Sequence, residues 1–337
     1  MAALACGFLI VSLQTHAAIT TCVHNATELQ AALTAAETSS STTFIDVARG
    51  TYSTGGNSFT FTSTGGQQLD VTGGYSSDCS TIIKNPALTI LDASGARPVM
   101  AISNGGGVSV RYLTFQNGLT SGSSSGGLTV SSDGGIIVDY NIIRNNIGSG
   151  LSGINLAINS ATSTANLEFS GNLVVGNSTS GRYAAGAINN DGMGNTYIVN
   201  NTIANNTSGS AMEALAVSAN TSGSEPPANL SNNIFWNNGD FDMALYGHPI
   251  LTDNDYLAFT NSANASSGGN VSVDPQFSSS SDFHLLPTSP VLGAGTLTPA
   301  GGLPTIDIEG HPRSYNSLVD MGAYERGDKI FADGYDN

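Results

Sequence analysis

The stretch VSVRYLTFQNG at residues 108–118 returns as IIVDYNIIRNN at 136–146, LEFSGNLVVGN at 167–177, TYIVNNTIANN at 196–206 and ANLSNNIFWNN at 228–238. Each copy reads apolar, any, apolar, two residues, then usually Asn, any, apolar, two residues, and usually Asn. Aligned on Leu113, Asn141, Asn172, Asn201 and Asn233, the copies lie 28, 31, 29 and 32 residues apart. A period of that size marks a coil stacked on itself. Alternation assigns the faces: Val108, Val110, Leu113 and Phe115 point inward, as do Ile136, Val138, Asn141 and Ile143 one coil later. Short apolar stretches after each copy (128–130, 154–156, 187–188, 215–217 and 243–245) bring the count to about three strands per coil, stacked in parallel about 4.8 Å apart.

The copies carry two columns of asparagine. Stacked Asn side chains bond to their own copies above and below, and Asn tolerates left-handed backbone. Asn146, Asn177, Asn206 and Asn238 are therefore read as corner scaffold, not as catalytic amides.

Composition agrees with an ordered solenoid. The 337 residues exceed what one compact core holds, and stacked coils escape that limit because their core grows along an axis. Only 10% of residues are charged, but 39% are hydrophobic and recur in phase, which separates the chain from a disordered one. Nine Lys and Arg against 25 Asp and Glu leave a formal net charge of −16, which repels a nucleic-acid backbone. The same charge disfavours unaided binding of polyanions such as pectate.

Residues 4–13 form a short apolar run followed by Thr15, His16 and Ala17, the pattern of a secretory signal peptide over residues 1–17, although no Lys or Arg precedes the run. The run is too short to span a bilayer. Removing it removes Cys6 and leaves Cys22 and Cys79, which point to one disulfide in an exported chain, with two unpaired buried thiols as the alternative. Asn25 with Glu28 three residues on reads as a capping box, and Leu29, Ala32, Leu33 and Ala36 then line one face of a helix that would cover the end of the core. Residues 44–47, 59–61, 69–71 and 88–91 read as the strands of less regular first coils.

After residue 268 the chain resembles a known family. The stretches GGNVSVDPQF (268–277), DFHL (282–285) and SPVLGAG (289–295) resemble the closing section of secreted right-handed parallel β-helix proteins. DIEGHPR (307–313) and VDMGAYE (319–325) add a likeness to the choice-of-anchor Q domain, with Leu292 standing where that family usually carries an acidic residue. The preceding coils resemble pectin-lyase-like repeats. The resemblance implies an all-β, right-handed parallel β-helix of an exported, surface-associated bacterial protein. Residues 18–290 would form the helix with its N-terminal cap, 291–326 the closing region, and 327–337 an acidic tail. Asp307, Arg313, Asp320 and Glu325 are expected to satisfy one another and loop amides over the open C-terminal end.

Pectin-lyase-like folds include polysaccharide lyases and glycoside hydrolases, so the residues must be tested for both. Hydrolysis needs paired carboxylates. The outward column Arg111, Asp139, Ser170, Val199, Ser231 instead offers an ion pair between Arg111 and Asp139. A lyase needs a base beside a uronate, and Arg144 and Arg182 are the basic residues of the middle coils, with Asp139, Glu168 and Asp191 as acidic candidates. Asp240 with Asp242, and Asp253 with Asp255, place oxygens two residues apart, which suits calcium, but neither extends to a full loop signature. No cofactor motif, metal-ligand set or nucleophile elbow is legible, and His24, His248, His284 and His311 lack recognisable triad partners.

The outward columns Thr114, Ile142, Leu173, Thr202, Ile234 and Gln116, Arg144, Val175, Ala204, Trp236 form an apolar stripe that is either covered by a long loop or used for contact. A ligand surface on Ile142, Arg144, Leu173 and Trp236 follows, with Trp236 able to stack on a sugar ring. The residues favour a non-catalytic surface or extracellular protein that presents a rigid face for adhesion or for binding a polysaccharide or cell-surface glycan, with an extracellular polysaccharide lyase or glycoside hydrolase as the alternative.

Overall fold

The structure, a computed structural model, describes residues 17–122, 124–209, 213–219, 226–261 and 265–326. The expected signal segment, apart from Ala17, and the 327–337 tail lie outside the described residues.

The chain winds into a right-handed parallel β-helix. Each coil of the repeat region contributes one strand to each of three long sheets, so Val108–Arg111 pairs with Ile136–Asp139, Thr114–Gln116 with Ile142–Arg144, and Leu128–Ser132 with Ile154–Ile158. The first sheet has ten strands, from Ile19–Val23 to Ser266–Gly268; the second has seven, from Gly50–Ser53 to Ile234–Trp236; the third has eight, from Phe59–Ser63 to Phe259–Thr260. A small three-stranded sheet of two-residue strands adds a fourth edge. The strand register reproduces the aligned repeat: Arg111, Asp139, Ser170, Val199 and Ser231 are successive partners, as are Thr114, Ile142, Leu173, Thr202 and Ile234. The core runs the length of the helix, and Val110, Leu113, Phe115, Val138, Ile143, Phe169 and Phe235 are fully buried in it.

The asparagines divide the corners between them. Asn141, Asn172, Asn201, Asn233, Asn254 and Asn270 form one ladder, in which each Oδ1 accepts from the backbone N–H and the Nδ2 of the residue one coil before it. Asn146, Asn177, Asn206 and Asn238 form a second in the same way. Left-handed backbone falls on the residue before each ladder position: φ is 56° at Tyr140, 65° at Gly171, 54° at Asn200, 55° at Asn145 and 56° at Asn205. An Asn-Asn pair thus holds one residue that turns the chain and one that ties coil to coil, a division the repeat pattern alone does not reveal.

Helix α1, Ala26–Ala36, caps the first coil with Leu29, Ala32, Leu33 and Ala36 inward. Asn25 Oδ1 accepts from Glu28 N–H at 3.0 Å, as the capping box predicts, but Glu28 reaches back to the His24 N–H at 2.8 Å and not to that of Asn25. The helix also covers the open edge of the third sheet: Gln30 bonds both the N–H and the C=O of Thr60, and Glu37 accepts from the Thr62 N–H. Cys22 and Cys79 form a disulfide across 57 residues, tying the first strand to the loop after Leu69–Tyr75.

The C-terminal section departs from expectation. Asp307, Arg313 and Glu325 do engage one another, but the section lies along the flank of the helix and not over its open end. Phe283, Ile308 and Ala323 pack on Ile142, Leu173, Val175 and Ala204 of the second sheet. The amide of Gly322 donates to Asn232 O at 2.7 Å, and that of Ala323 to Thr202 Oγ1 at 2.9 Å. The reason is the apolar stripe: Ile142, Leu173 and Val175, left on a sheet face, are worth about 1.5–3 kcal/mol each when covered. The last strand of the first sheet, Ser266–Gly268, stays exposed.

Candidate functional site

The predicted site residues do not converge. Ile142 and Leu173 are 8% and 5% exposed beneath the C-terminal section, so the expected ligand surface on them is closed by the chain itself. Trp236 is half-buried and packs against the same section. Arg144 donates to Gln116 Oε1 at 2.9 Å on the second sheet. Arg182 is paired with Glu213, the first residue of a third-sheet strand, at 2.7 Å, and lies over the Tyr183 ring. The two lyase-base candidates therefore sit apart, Arg144 in a second-sheet strand and Arg182 in the loop before Gly186–Asn190, each engaged. Asp191 is exposed at the corner after Gly186–Asn190, away from Asp139 at the end of a first-sheet strand.

Asp139 has a distinct environment. Arg111 lies 3.2 Å from Asp70 and 3.6 Å from Asp139, so the expected pair exists but is shared. Burial, opposed by Arg111 and reinforced by Glu168, pushes the Asp139 carboxyl up to about 7, and its Oδ1 has no hydrogen-bond partner. Two of the carboxylates considered for calcium, Asp242 and Asp255, hold backbone and side-chain groups of the fold. Asp242 accepts from Asn238 and the Leu257 N–H, Asn254 belongs to the ladder, and Asp255 accepts from the Val273 N–H.

A cavity of about 610 Å³ opens in the C-terminal section, a place the sequence did not mark. Asp282, His284, Glu309, His311, Tyr315 and Tyr324 line much of it. His284 sits between two carboxylates, with Nδ1 2.5 Å from Asp282 Oδ1 and Nε2 3.0 Å from Glu309 Oε2. Those bonds, Glu309 first and then Asp282, raise its pKa above the ordinary histidine value against the opposing effect of burial, so the ring favours its charged form. Tyr324 packs on the His284 ring at 4.1 Å, and burial together with Glu309, Asp282 and Asp307 pushes its hydroxyl upward, keeping it a neutral phenol. Glu325, also in the lining, is pushed up to about 8 by burial and then by Asp320.

The turn that bears Glu309 and His311 is locally fixed. Asp307 Oδ1 accepts from the backbone N–H of both Glu309 and His311, at 2.9 and 2.8 Å, while its Oδ2 accepts from the Glu325 N–H at 3.1 Å. Gly310, at φ 89°, approaches the backbone of Lys84 so closely that a Cβ there would lie 3.2 Å from the Lys84 carbonyl oxygen. Arg313, 1% exposed, donates to the carbonyls of Gly322 and Ala323 at 3.0 and 2.8 Å, with Glu325 at 3.9 Å. Leu285, Leu286, Pro287 and Pro312 give the cavity an apolar side. Sequence reading missed it because Asp282 and His284 stand 25 or more residues before Glu309 and His311, with no spacing rule joining them. The one available signal was the density of His and carboxylates in two short stretches, 282–284 and 307–311.

Chemically the arrangement offers fixed carboxylate acceptors, an imidazole held between two of them, a neutral phenol and aromatic and aliphatic walls. In comparisons with known proteins, the chain matches no family model and no curated protein.

Proposed function

We propose that the protein is an exported surface or extracellular β-helix protein that binds a glycan, and that the C-terminal cavity is where it does so. The observation that carries this is the cavity itself: an apolar and aromatic wall facing carboxylates held at fixed positions suits a sugar, whose ring faces stack and whose hydroxyls donate. The chain's net charge of −16 favours a neutral sugar over a uronate. Export draws support from the Cys22–Cys79 disulfide and from the apolar segment at residues 4–13, and surface attachment from the choice-of-anchor-like residues 291–326.

The test is calorimetric titration with neutral and uronate oligosaccharides. Binding of a neutral oligosaccharide that Tyr315→Ala and Asp282→Asn both weaken supports the reading; binding that neither variant changes, or none across a broad panel, counts against it. One observation favours a glycoside hydrolase as a second reading: Glu325, pushed up to about 8, lines the cavity together with Glu309, and hydrolysis uses two carboxyl groups of which one is protonated. Release of reducing ends from a bound oligosaccharide, abolished in Glu325→Gln, would establish it.

A further inference from the structure

The geometry points to a site for a first-row divalent metal of the zinc type on Asp307, Glu309 and His311, three donors of one five-residue turn that faces the cavity. One ligand atom from each lies within 4.8 Å of the others. His311 Nδ1 is 3.4 Å from Asp307 Oδ2 and 3.9 Å from Glu309 Oε2. Ligands about 2.0–2.1 Å from a tetrahedral metal stand roughly 3.4 Å from one another, so the His311 to Asp307 separation already fits, and Glu309, within 4.8 Å of both, must close in on them.

Three features separate this turn from an ordinary acidic loop. The donor set contains an imidazole nitrogen, which calcium and magnesium do not favour and zinc-type metals do. Asp307 is 1% exposed and its carboxylate is oriented by the backbone N–H groups of Glu309 and His311, so the turn that presents the ligands also aims one of them. His284, held by Asp282 on its other nitrogen, bonds Glu309 Oε2 and positions that carboxylate from outside the ligand set. Three protein ligands leave a coordination position open, and the cavity provides both the entry path and the room for a water or a ligand atom there. Gly310 suits the turn because its φ of 89° would strain any other side chain and an added Cβ would stand 3.2 Å from the Lys84 carbonyl oxygen. This inference is independent of the glycan reading, since a cation bound here needs no sugar.

The experiment uses the full chain with its disulfide intact, stripped of metal and titrated with Zn²⁺ alone by calorimetry. One equivalent should bind saturably, about a hundredfold more weakly in His311→Ala and at least about tenfold more weakly in Glu309→Gln, with His248→Ala unchanged. Ca²⁺ should bind far more weakly than Zn²⁺. Melting curves of the metal-free variants should match the wild type, because His311 and Glu309 are 52% and 31% exposed in their side chains. If a variant fails to fold, nitrogen NMR of the wild type replaces it: Zn²⁺ should shift His311 Nδ1 much more than Nε2. Absence of saturable Zn²⁺ binding, affinity unchanged in both variants, equal affinity for Ca²⁺, or an unshifted His311 Nδ1 would each overturn the proposal.

Discussion

At the scale of single residues, neighbouring asparagines do different work. Asn172 Oδ1 accepts from the backbone N–H of Asn141 at 2.9 Å, and its Nδ2 donates to Val138 O at 2.8 Å, so removing the side chain leaves buried backbone groups unpaired. Asn172→Ala should cost about 2–5 kcal/mol in denaturant unfolding. Asn145 holds a φ of 55°, where glycine is at ease, so Asn145→Gly should be close to neutral and Asn145→Ala should cost about 1–2 kcal/mol. Equal costs for Asn172→Ala and Asn145→Gly would contradict the division of roles. The spacing of these asparagines was legible in the sequence, but which member of a pair takes the positive φ was not, because spacing carries no dihedral angle.

Asp255 makes a second residue-level prediction. Burial, with Asp242 and Asp274 adding to it, pushes the carboxyl up to about 7, and its Oδ2 is buried without a partner. Between the ordinary carboxylate range and about pH 7 the folded state keeps a proton that the unfolded state has lost. Stability therefore falls as pH rises through that window, by up to about 1.4 kcal/mol per pH unit. Asp255→Asn retains an oxygen to accept from the Val273 N–H, so it should gain on the wild type from about pH 4 to pH 7 and hold a constant lead above. Parallel stability curves for the two proteins would refute this.

At the scale of elements, the strands of the three sheets follow from alternation and period, and the N-terminal helix from its cap and apolar face. What escaped was the docking of the C-terminal section. Its contact residues Phe283, Ile308 and Ala323 meet Ile142 and Leu173 across more than a hundred positions of chain, and no local pattern encodes such a meeting. The sequence posed the right alternative, a covered or a contacting stripe, without the means to choose. Arg313 is the pin of this section: its guanidinium serves the carbonyls of Gly322 and Ala323 and faces Asp307 and Glu325. Arg313→Met should cost about 3–5 kcal/mol in urea unfolding, since buried Asp307 loses its nearby countercharge and the Gly322 and Ala323 carbonyls lose their donor. A loss under about 1 kcal/mol would show that Arg313 is not what holds the section.

At the scale of the whole molecule, a solenoid with a regular interior leaves its particular chemistry to whatever is laid on its outside. Arg144, Arg182, Asp139 and Asp191 were read from the coils, yet the structure distributes them over separate faces. The His and carboxylate groups that do meet belong to the strapped section, where sequence gave turns and no site. The central claim is therefore that residues near the C-terminus form a fixed flank of the β-helix, sealing the stripe and shaping the cavity. Hydrogen exchange on peptides covering residues 319–324 tests it most directly. The amides of Met321, Gly322 and Ala323 bond Val291 O at 3.2 Å, Asn232 O at 2.7 Å and Thr202 Oγ1 at 2.9 Å, and they should be protected to the same degree as the coil strand Thr202–Ala204. Exchange of those amides at the rate of a free loop, while Thr202–Ala204 stays protected, would contradict the account.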